Sequence, residues 1–99
     1  MATYVLLTKF TAQGLSSIKD SPKRAEAFRG MAKKLGCTVK EMLWVQGKYD
    51  VVTILEAPDD ADATMAALTV SIAKLGNITK QTLRAFTIAE FSSILEKVI

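Results

Sequence analysis

The sequence predicts a single α+β domain, in which strands and helices follow the order β-α-β-β-α-β and a further helix forms the C-terminal tail. Three observations predict it: a β-hairpin pattern in the middle of the chain, an amphipathic helix on each side of it, and a strand candidate beyond each helix. The 99 residues, 49% apolar and 23% charged, suffice for one hydrophobic core and are too few for two. Residues 1–99 are therefore taken as one domain.

The first strand and the first long helix precede the hairpin. Residues 3–10 are largely apolar on both alternating faces, which predicts a central strand covered on both sides. A short helical turn follows over residues 14–20. Ser21 as N-cap and Pro22 at the first helical position begin the main helix, and Gly36 ends it. The apolar stripe of this helix consists of Ala25, Phe28, Ala32 and Leu35.

Two strand-forming stretches joined by Gly47-Lys48 predict a β-hairpin over residues 38–57. A two-residue link with glycine first suits a type II′ turn, which requires a positive φ at that glycine. The turn sets a register in which Trp44 faces Val51. One face of the hairpin then carries Val39, Leu43, Val45, Val52 and Ile54. The other face carries Lys40, Met42, Trp44, Tyr49, Val51, Thr53 and Leu55.

The second half of the chain predicts a helix, an edge strand and a tail helix. Asp59 or Asp60 caps the helix. Its apolar stripe consists of Met65, Leu68, Ile72 and Leu75. Residues 77–86 alternate weakly, as expected of a partly covered strand, with Ile78, Thr82 and Phe86 set against Lys80 and Arg84. Residues 87–90 (Thr-Ile-Ala-Glu) form a capping box that begins a short amphipathic helix, which we expect to dock on another surface.

This order of elements is that of the ferredoxin-like or split-βαβ arrangement, with the first and third strands in the centre of the sheet. Two helices cover only one face of a four-stranded antiparallel sheet. The apolar residues of the other face, among them Met42, Trp44 and Val51, then require a partner. We expect that partner to be a second copy of the chain, packed sheet against sheet in a homo-dimer or a larger homo-oligomer.

Composition excludes several kinds of site and partner. The chain has no histidine and one cysteine, so histidine-ligated haem or zinc, Ser-His and Cys-His catalysis, and internal disulfide bonds are excluded. We expect no metal and no cofactor. The net charge of +3 divides into a solvated basic helix face and an acidic helix start, which predicts no nucleic-acid partner. No apolar run could span a membrane and Met-Ala-Thr-Tyr leads directly into a strand, so a cytoplasmic protein is expected.

Six segments of the chain together carry a family resemblance. They are residues 3–10 (Thr-Tyr-Val-Leu-Leu-Thr-Lys-Phe), 18–24 (Ile-Lys-Asp-Ser-Pro-Lys-Arg), 47–50 (Gly-Lys-Tyr-Asp), 56–60 (Glu-Ala-Pro-Asp-Asp), 75–77 (Leu-Gly-Asn) and 82–86 (Thr-Leu-Arg-Ala-Phe). On these segments the chain resembles the GYD-domain family of small prokaryotic proteins over nearly its whole length. Gly47, Tyr49 and Asp50 meet the motif that names the family. The resemblance implies a dimeric α/β-barrel type of assembly and implies no particular biochemical activity.

The candidate ligand site lies where the end of the first strand, the hairpin turn and the start of the fourth strand meet. Tyr49 and Trp44 are aromatic groups with a polar handle, which either line a ligand cavity or fill the sheet-to-sheet interface. Thr8 borders the same region. Arg84 either offers its guanidinium to an anion or remains a solvated charge on an edge strand.

Asp50 opens the third strand and is expected to point to the helix-covered face. Its carboxylate has three possible roles: to accept hydrogen bonds from free N–H groups near Gly14 and Leu15, to pair with Lys9, or to act as a general base. We favour a structural role, because no second catalytic group is positioned beside it.

Two functions from different classes are consistent with these patterns. The first is a non-catalytic homo-oligomeric module that binds a small acidic or aromatic metabolite at the open sheet face. The second is a cofactor-independent monooxygenase or isomerase that acts on a small substrate. The second rests on fold analogy alone.

Overall fold

The computed structural model describes all 99 residues, and in it a four-stranded antiparallel sheet carries two packed helices on one face. The strands are β1 (Ala2–Phe10), β2 (Thr38–Trp44), β3 (Val51–Ala57) and β4 (Ile78–Ala85). The helices are α1 (Ala12–Ser16), α2 (Ser21–Lys34), α3 (Asp62–Ala73) and α4 (Ile88–Leu95), with a short 3-10 helix at Ile18–Asp20. The strand order is β2-β3-β1-β4, with β1 and β3 in the centre. The predicted α+β class and four-stranded antiparallel sheet are confirmed.

The hairpin has the predicted register but a wider loop. Trp44 pairs with Val51, as the turn position predicts. Gly47 has the predicted positive φ, at +133°, whereas an ideal type II′ turn has a φ of about +60° there. The last hydrogen bond between the two arms joins Val45 N–H to the carbonyl of Asp50 at 2.8 Å, so four residues lie outside the ladder. The type II′ geometry is therefore not formed.

The faces of the hairpin are exchanged relative to the prediction. Met42, Trp44 and Val51 lie on the side covered by the helices, and the open side carries Leu43, Val52 and Ile54. Side-chain alternation shows which residues share a face, but it does not show which face the helices cover. The indole N–H of Trp44 donates to Ser21 Oγ on α2 at 3.0 Å, which directs the ring toward that helix.

Two local features explain further departures from the prediction. A register shift between Val39 and Glu41 forms a bulge, so Val39 joins the helix-covered face and packs against the core. Asp20 occupies the cap position of α2 and Ser21 is the first helical residue, with its hydroxyl accepting the indole N–H of Trp44. The helix-ending role of Gly36 is confirmed by its φ of +80°.

The pattern on β4 also differs from the prediction. Lys80 pairs with Thr8 and Arg84 pairs with Tyr4 across the β1–β4 ladder. Because every second residue of a strand points to the same side, Ile78, Lys80, Thr82 and Arg84 all share the helix-covered side. The predicted separation of Ile78 and Thr82 from Lys80 and Arg84 is therefore wrong.

The core lies between the sheet and the two long helices. Leu6 of β1, Leu55 of β3 and Leu68 of α3 are completely buried at its centre. Burial of each such side chain stabilises the fold by roughly 1.5–3 kcal/mol. Cys37 is buried in the same cluster, as its apolar character predicts, and burial raises the pKa of its thiol. No helix has the length and apolar character needed to cross a membrane.

The tail helix α4 begins with the predicted capping box, in which Thr87 and Glu90 exchange side-chain and backbone hydrogen bonds. Its apolar residues, Ile88, Phe91 and Leu95, remain exposed. The Cα radius of gyration is accordingly 14.7 Å, against about 13 Å for a compact domain of roughly 100 residues. The tail does not bury its apolar stripe against its own chain.

Gly47→Val is expected to lower the free energy of unfolding by on the order of 1–3 kcal/mol, because a β-branched residue is strained at a positive φ. No atom lies near the position of an added Cβ, so the effect is one of backbone strain alone. The measurement is chemical denaturation of the purified protein. Lys48→Ala, in the same loop, is the control and should be nearly neutral; equal stabilities for the two variants would contradict the strain.

Candidate functional site

A cavity of about 130 Å³ lies between α2, α3 and the sheet, at the end where the hairpin turns. Its walls are mostly apolar and include Leu6, Phe10, Phe28, Met31, Ile72 and Ile78. A cavity of about 150 Å³ with similar walls accommodates benzene. The space therefore suits a compact molecule of roughly that size.

Lys80 lines this cavity, and its amino group has no partner. Its Nζ atom is buried and makes no hydrogen bond, and it takes part in none of the ion pairs of the chain. Burial lowers the pKa of Lys80 from 10.5 to about 8. A second depression, between α3 and β4, is also lined by Ile72, Ile78 and Lys80. Lys80 is thus the one cation here whose charge is not compensated.

Arg24 is the other charged residue of the cavity wall, and its guanidinium is already engaged. It donates to the carbonyl of Ser17 at 2.9 Å and to the carbonyl of Gly14 at 3.2 Å. These bonds attach α2 to the end of α1. Arg24 therefore contributes structure to the wall, and the free donor is Lys80.

Two of the predicted site residues, Thr8 and Trp44, line the cavity. Thr8 lies directly opposite Lys80 on the neighbouring strand, so their side chains leave the sheet side by side. Trp44 is 48% exposed, and its ring forms part of the rim where the cavity meets solvent. A hydroxyl, an amine and an indole are therefore gathered around one apolar space.

Asp50 connects the hairpin to β1 at the end of the sheet where the hairpin turns. Its Oδ2 accepts a hydrogen bond from the N–H of Phe10 at 2.9 Å, and its own N–H donates to the carbonyl of Thr8 at 2.8 Å. Neither Gly14 nor Lys9 is its partner: the N–H of Gly14 is capped by Thr11 Oγ1, and Lys9 donates to the carbonyl of Lys48. Asp50 thus makes structural contacts, but with partners other than those that the sequence predicted.

Tyr49 lies away from the cavity. Its hydroxyl donates to Gln81 Oε1 at 3.0 Å, and Gln81 points to the open side of the sheet. Lys48 Nζ stands 5.8 Å from the centre of the tyrosine ring. Tyr49 therefore borders the open face near the hairpin loop.

Arg84 lies at the far end of β4 from the hairpin. Its guanidinium stands 4.5 Å from the ring centre of Phe86 and pairs with Glu90 at 3.8 Å. Its other contacts include the ring of Tyr4 at 5.7 Å. Arg84 thus connects the sheet to the tail helix and is not close to the other predicted site residues.

Lys80 was not among the residues that the sequence singled out. Strand order and antiparallel pairing place the start of β4, and not its end, beside the hairpin turn. Counting every second residue from Ile78 would have placed Lys80 on the helix-covered side beside Thr8. The signal was present in the sequence, but it required the correct period on β4.

A family model described as the GYD domain matches residues 4–95. The chain belongs to the GYD domain family. The resemblance predicted from the sequence is confirmed. In this GYD chain each motif residue has a structural feature. Gly47 has a positive φ in the hairpin loop, Tyr49 forms a hydrogen bond with Gln81, and Asp50 forms one with the end of β1.

A protein of Thermus thermophilus is similar to this GYD chain over almost the whole length of both. It is named "Glutamine synthetase and cystathionine beta-lyase binding protein", and it is 29% identical over 97 residues, which are 97% of this chain and 100% of that protein.

Two solved structures share the fold. The crystal structure of FFRP-DM1 matches with a TM-score of 0.60 and 24% identity, over 87% of this chain and 100% of that one. Hypothetical protein PHS023 from Pyrococcus horikoshii matches with a TM-score of 0.59 and 24% identity, over 88% of this chain and 92% of that one. At this level of identity the likeness supports the fold.

Asp50→Ala is expected to lower the free energy of unfolding by about 2 kcal/mol, because the N–H of Phe10 loses a charged acceptor. Asp50→Asn keeps an oxygen in that place and should cost less than half as much. Thermal and chemical denaturation measure both. Asp60→Ala, at an exposed aspartate, is the control. If Asp50→Ala and Asp60→Ala melt at the same temperature, the bond does not hold the turn end.

The free energy of unfolding is expected to depend on pH through Lys80. The folded state binds its proton with a pKa of about 8 and the unfolded state with a pKa of 10.5, so between these values the unfolded state binds more protons. Stability attributable to Lys80 therefore rises with pH across that window and is lowest below pH 8.

The Lys80→Met variant should lack this pH dependence of stability. Its free energy of unfolding at pH 7 should exceed that of the wild type by about 1–2 kcal/mol, because the amine is only partly shielded from solvent. Urea denaturation at pH 7, 8, 9 and 10 measures it. Lys74→Met, at an exposed lysine, should keep the slope of the wild type. Parallel pH profiles for the wild type and Lys80→Met would exclude the effect.

Proposed function

We propose that this GYD chain is a non-catalytic binding module that assembles with copies of itself through the open face of its sheet. The observation that carries this proposal is the apolar centre of that face. Its residues are Val5, Leu7, Leu43, Val52, Ile54 and Leu83. Leu43 is 49% exposed and Leu83 is 39% exposed, although both stand in a sheet whose other face is well covered.

The rim of the open face is polar. Lys9, Glu41 and Thr79 alternate into it from three different strands, and all three are exposed. An apolar centre surrounded by a polar rim is the usual composition of a protein–protein interface. A second copy supplies the same pattern in reverse across a two-fold axis, and two such sheets pack about 10 Å apart.

We therefore propose the partner that the sequence predicts, a second copy of the chain. Only the residues that this partner covers differ from the prediction. Leu43, Val52 and Ile54 belong to the interface, whereas Met42, Trp44 and Val51 face the helices of their own chain. The exposed stripe of α4 adds a second apolar surface that assembly could cover.

Metabolite binding belongs to the same proposal, with the cavity as the site in place of the open face. Thr8 and Trp44 line the cavity, Asp50 supports its end, and the space fits a small aromatic or acidic molecule. We propose that Tyr49 contributes to the open face and that Arg84 connects the sheet to the tail helix.

Other proteins are a further class of partner for this chain. The relative from Thermus thermophilus is named for binding two enzymes, glutamine synthetase and cystathionine beta-lyase. Its likeness over the whole length supports a binding role here rather than a catalytic one. We propose that this module acts in the cytoplasm, as the sequence predicts.

Leu83→Glu combined with Leu43→Glu is expected to convert the assembled protein to monomers, because two carboxylates would be buried without partners in the interface. Sedimentation equilibrium at micromolar concentration measures the mass. The control is Val70→Glu, an exposed apolar residue on the outer side of α3. A wild-type protein that sediments as a monomer would overturn the sheet-to-sheet proposal, and so would assembly that persists in the double variant.

A further inference from the structure

We infer that the cavity beside Lys80 is a binding site for a small carboxylic acid with a compact apolar or aromatic body, whose carboxylate forms an ion pair with Lys80 Nζ. This inference rests on the proposed function only in so far as the module binds a small molecule. It does not depend on self-association, since the cavity and the open face lie on opposite sides of the sheet.

The charge of the site argues for an anion. Lys80 Nζ is buried with no acceptor, and the only other charge in the wall, that of Arg24, is engaged by backbone carbonyls. Burying an ammonium group without a partner is costly, and the protein also has no carboxylate at the cavity to offset it. A bound carboxylate would supply both the missing charge and the missing acceptor.

The shape of the site argues for a small apolar body. The walls contributed by Phe28, Met31 and Ile72 have no polar group to offer, and the volume of about 130 Å³ is that of a benzene-sized molecule. A phosphorylated ligand would need more than one cation or a set of backbone N–H groups. One ammonium beside an apolar space fits a monocarboxylate better.

Two hydroxyls stand where they could assist the amine. Thr8 is the direct cross-strand neighbour of Lys80, and Thr53 lies on the next strand, on the same side of the sheet. Both are buried and both line the cavity. A carboxylate held by Lys80 would have these hydroxyls as further donors, which fixes its orientation with the apolar body toward α2.

The chain carries its own reporter for this site. Trp44 is its only tryptophan and lies on the cavity wall, with its N–H bonded to Ser21. Titration with benzoate, followed by tryptophan emission and by isothermal calorimetry, is therefore the first experiment. Benzamide has nearly the same shape without the charge. We expect benzoate to bind the wild-type protein at least tenfold more tightly than benzamide at pH 7.

Variants distinguish the contribution of the Lys80 charge to binding from that of the cavity volume. Lys80→Met should weaken benzoate binding at least tenfold and leave benzamide binding within twofold of the wild type. Lys74→Met, the matched exposed lysine, should change neither. Ala25→Leu places extra side-chain volume in the cavity and should weaken both compounds, with its melting temperature confirming that it is folded.

The pH dependence provides an independent readout. Lys80 and Arg24 are the two charged residues of the wall, and Lys80 is the one whose pKa is lowered by burial. With a pKa of about 8, most of the amine is protonated at pH 7 and about a tenth at pH 9. Benzoate affinity should fall roughly tenfold between these pH values, and benzamide affinity should not.

Three results would overturn the inference: equal affinities for benzoate and benzamide, undiminished benzoate binding by Lys80→Met, or no binding of either compound at millimolar concentration. The double variant Leu43→Glu, Leu83→Glu distinguishes this inference from the proposal on assembly. If that variant is monomeric and still binds benzoate, both stand. If the wild-type protein is itself a monomer that binds benzoate, the proposal on assembly fails and the inference on the cavity stands.

Discussion

The fold depends on one junction, in which Asp50 joins the hairpin to the central strand β1. Its carbonyl accepts Val45 N–H, its own N–H donates to the Thr8 carbonyl, and its carboxylate accepts Phe10 N–H. Three bonds from one residue connect β2, β3 and β1 at the open end of the sheet, where strand pairing alone would fray. Because Thr8, Phe10 and Trp44 stand beside this junction, the walls of the cavity are positioned by it as well.

The cavity itself follows from the residues that face each other across the core. Where α3 packs on the sheet, the large side chains of Leu68 and Met65 are buried. Where α2 crosses the end near the hairpin, it presents the small side chain of Ala25, and the sheet presents the short side chains of Thr8 and Thr53. Small residues on both sides leave a gap, and it is lined by Lys80, whose buried amino group has no partner. A core built only for stability would place an apolar residue there, and the lysine in its place supports the proposal of a ligand.

Local sequence patterns predicted which residues pair across the hairpin, but they did not predict which face of the sheet the helices cover. The pairing of Trp44 with Val51 and the positive φ of Gly47 followed from turn chemistry and strand alternation, which are local. Which face of the hairpin receives the helices depends on tertiary contacts, such as the Trp44–Ser21 hydrogen bond, and no local rule contains them. The cavity was missed for the same reason. Lys80 was missed for a different one, since reading β4 with the wrong alternation separated it from Ile78.

The sheet separates the two proposed binding surfaces, and the alternation of side chains along β4 illustrates this separation. Lys80 and Leu83 are three residues apart, an odd separation, so Lys80 lies on the cavity side of the sheet while Leu83 stands on the open face. The same alternation on β1 sends Thr8 to the cavity and Leu7 to the open face. Substitutions on one side therefore leave the chemistry of the other side in place, although both share the same backbone hydrogen bonds. A four-stranded sheet with helices on one side gives so small a chain two surfaces of different character, and we propose a second copy as the partner of one and a small molecule as the ligand of the other.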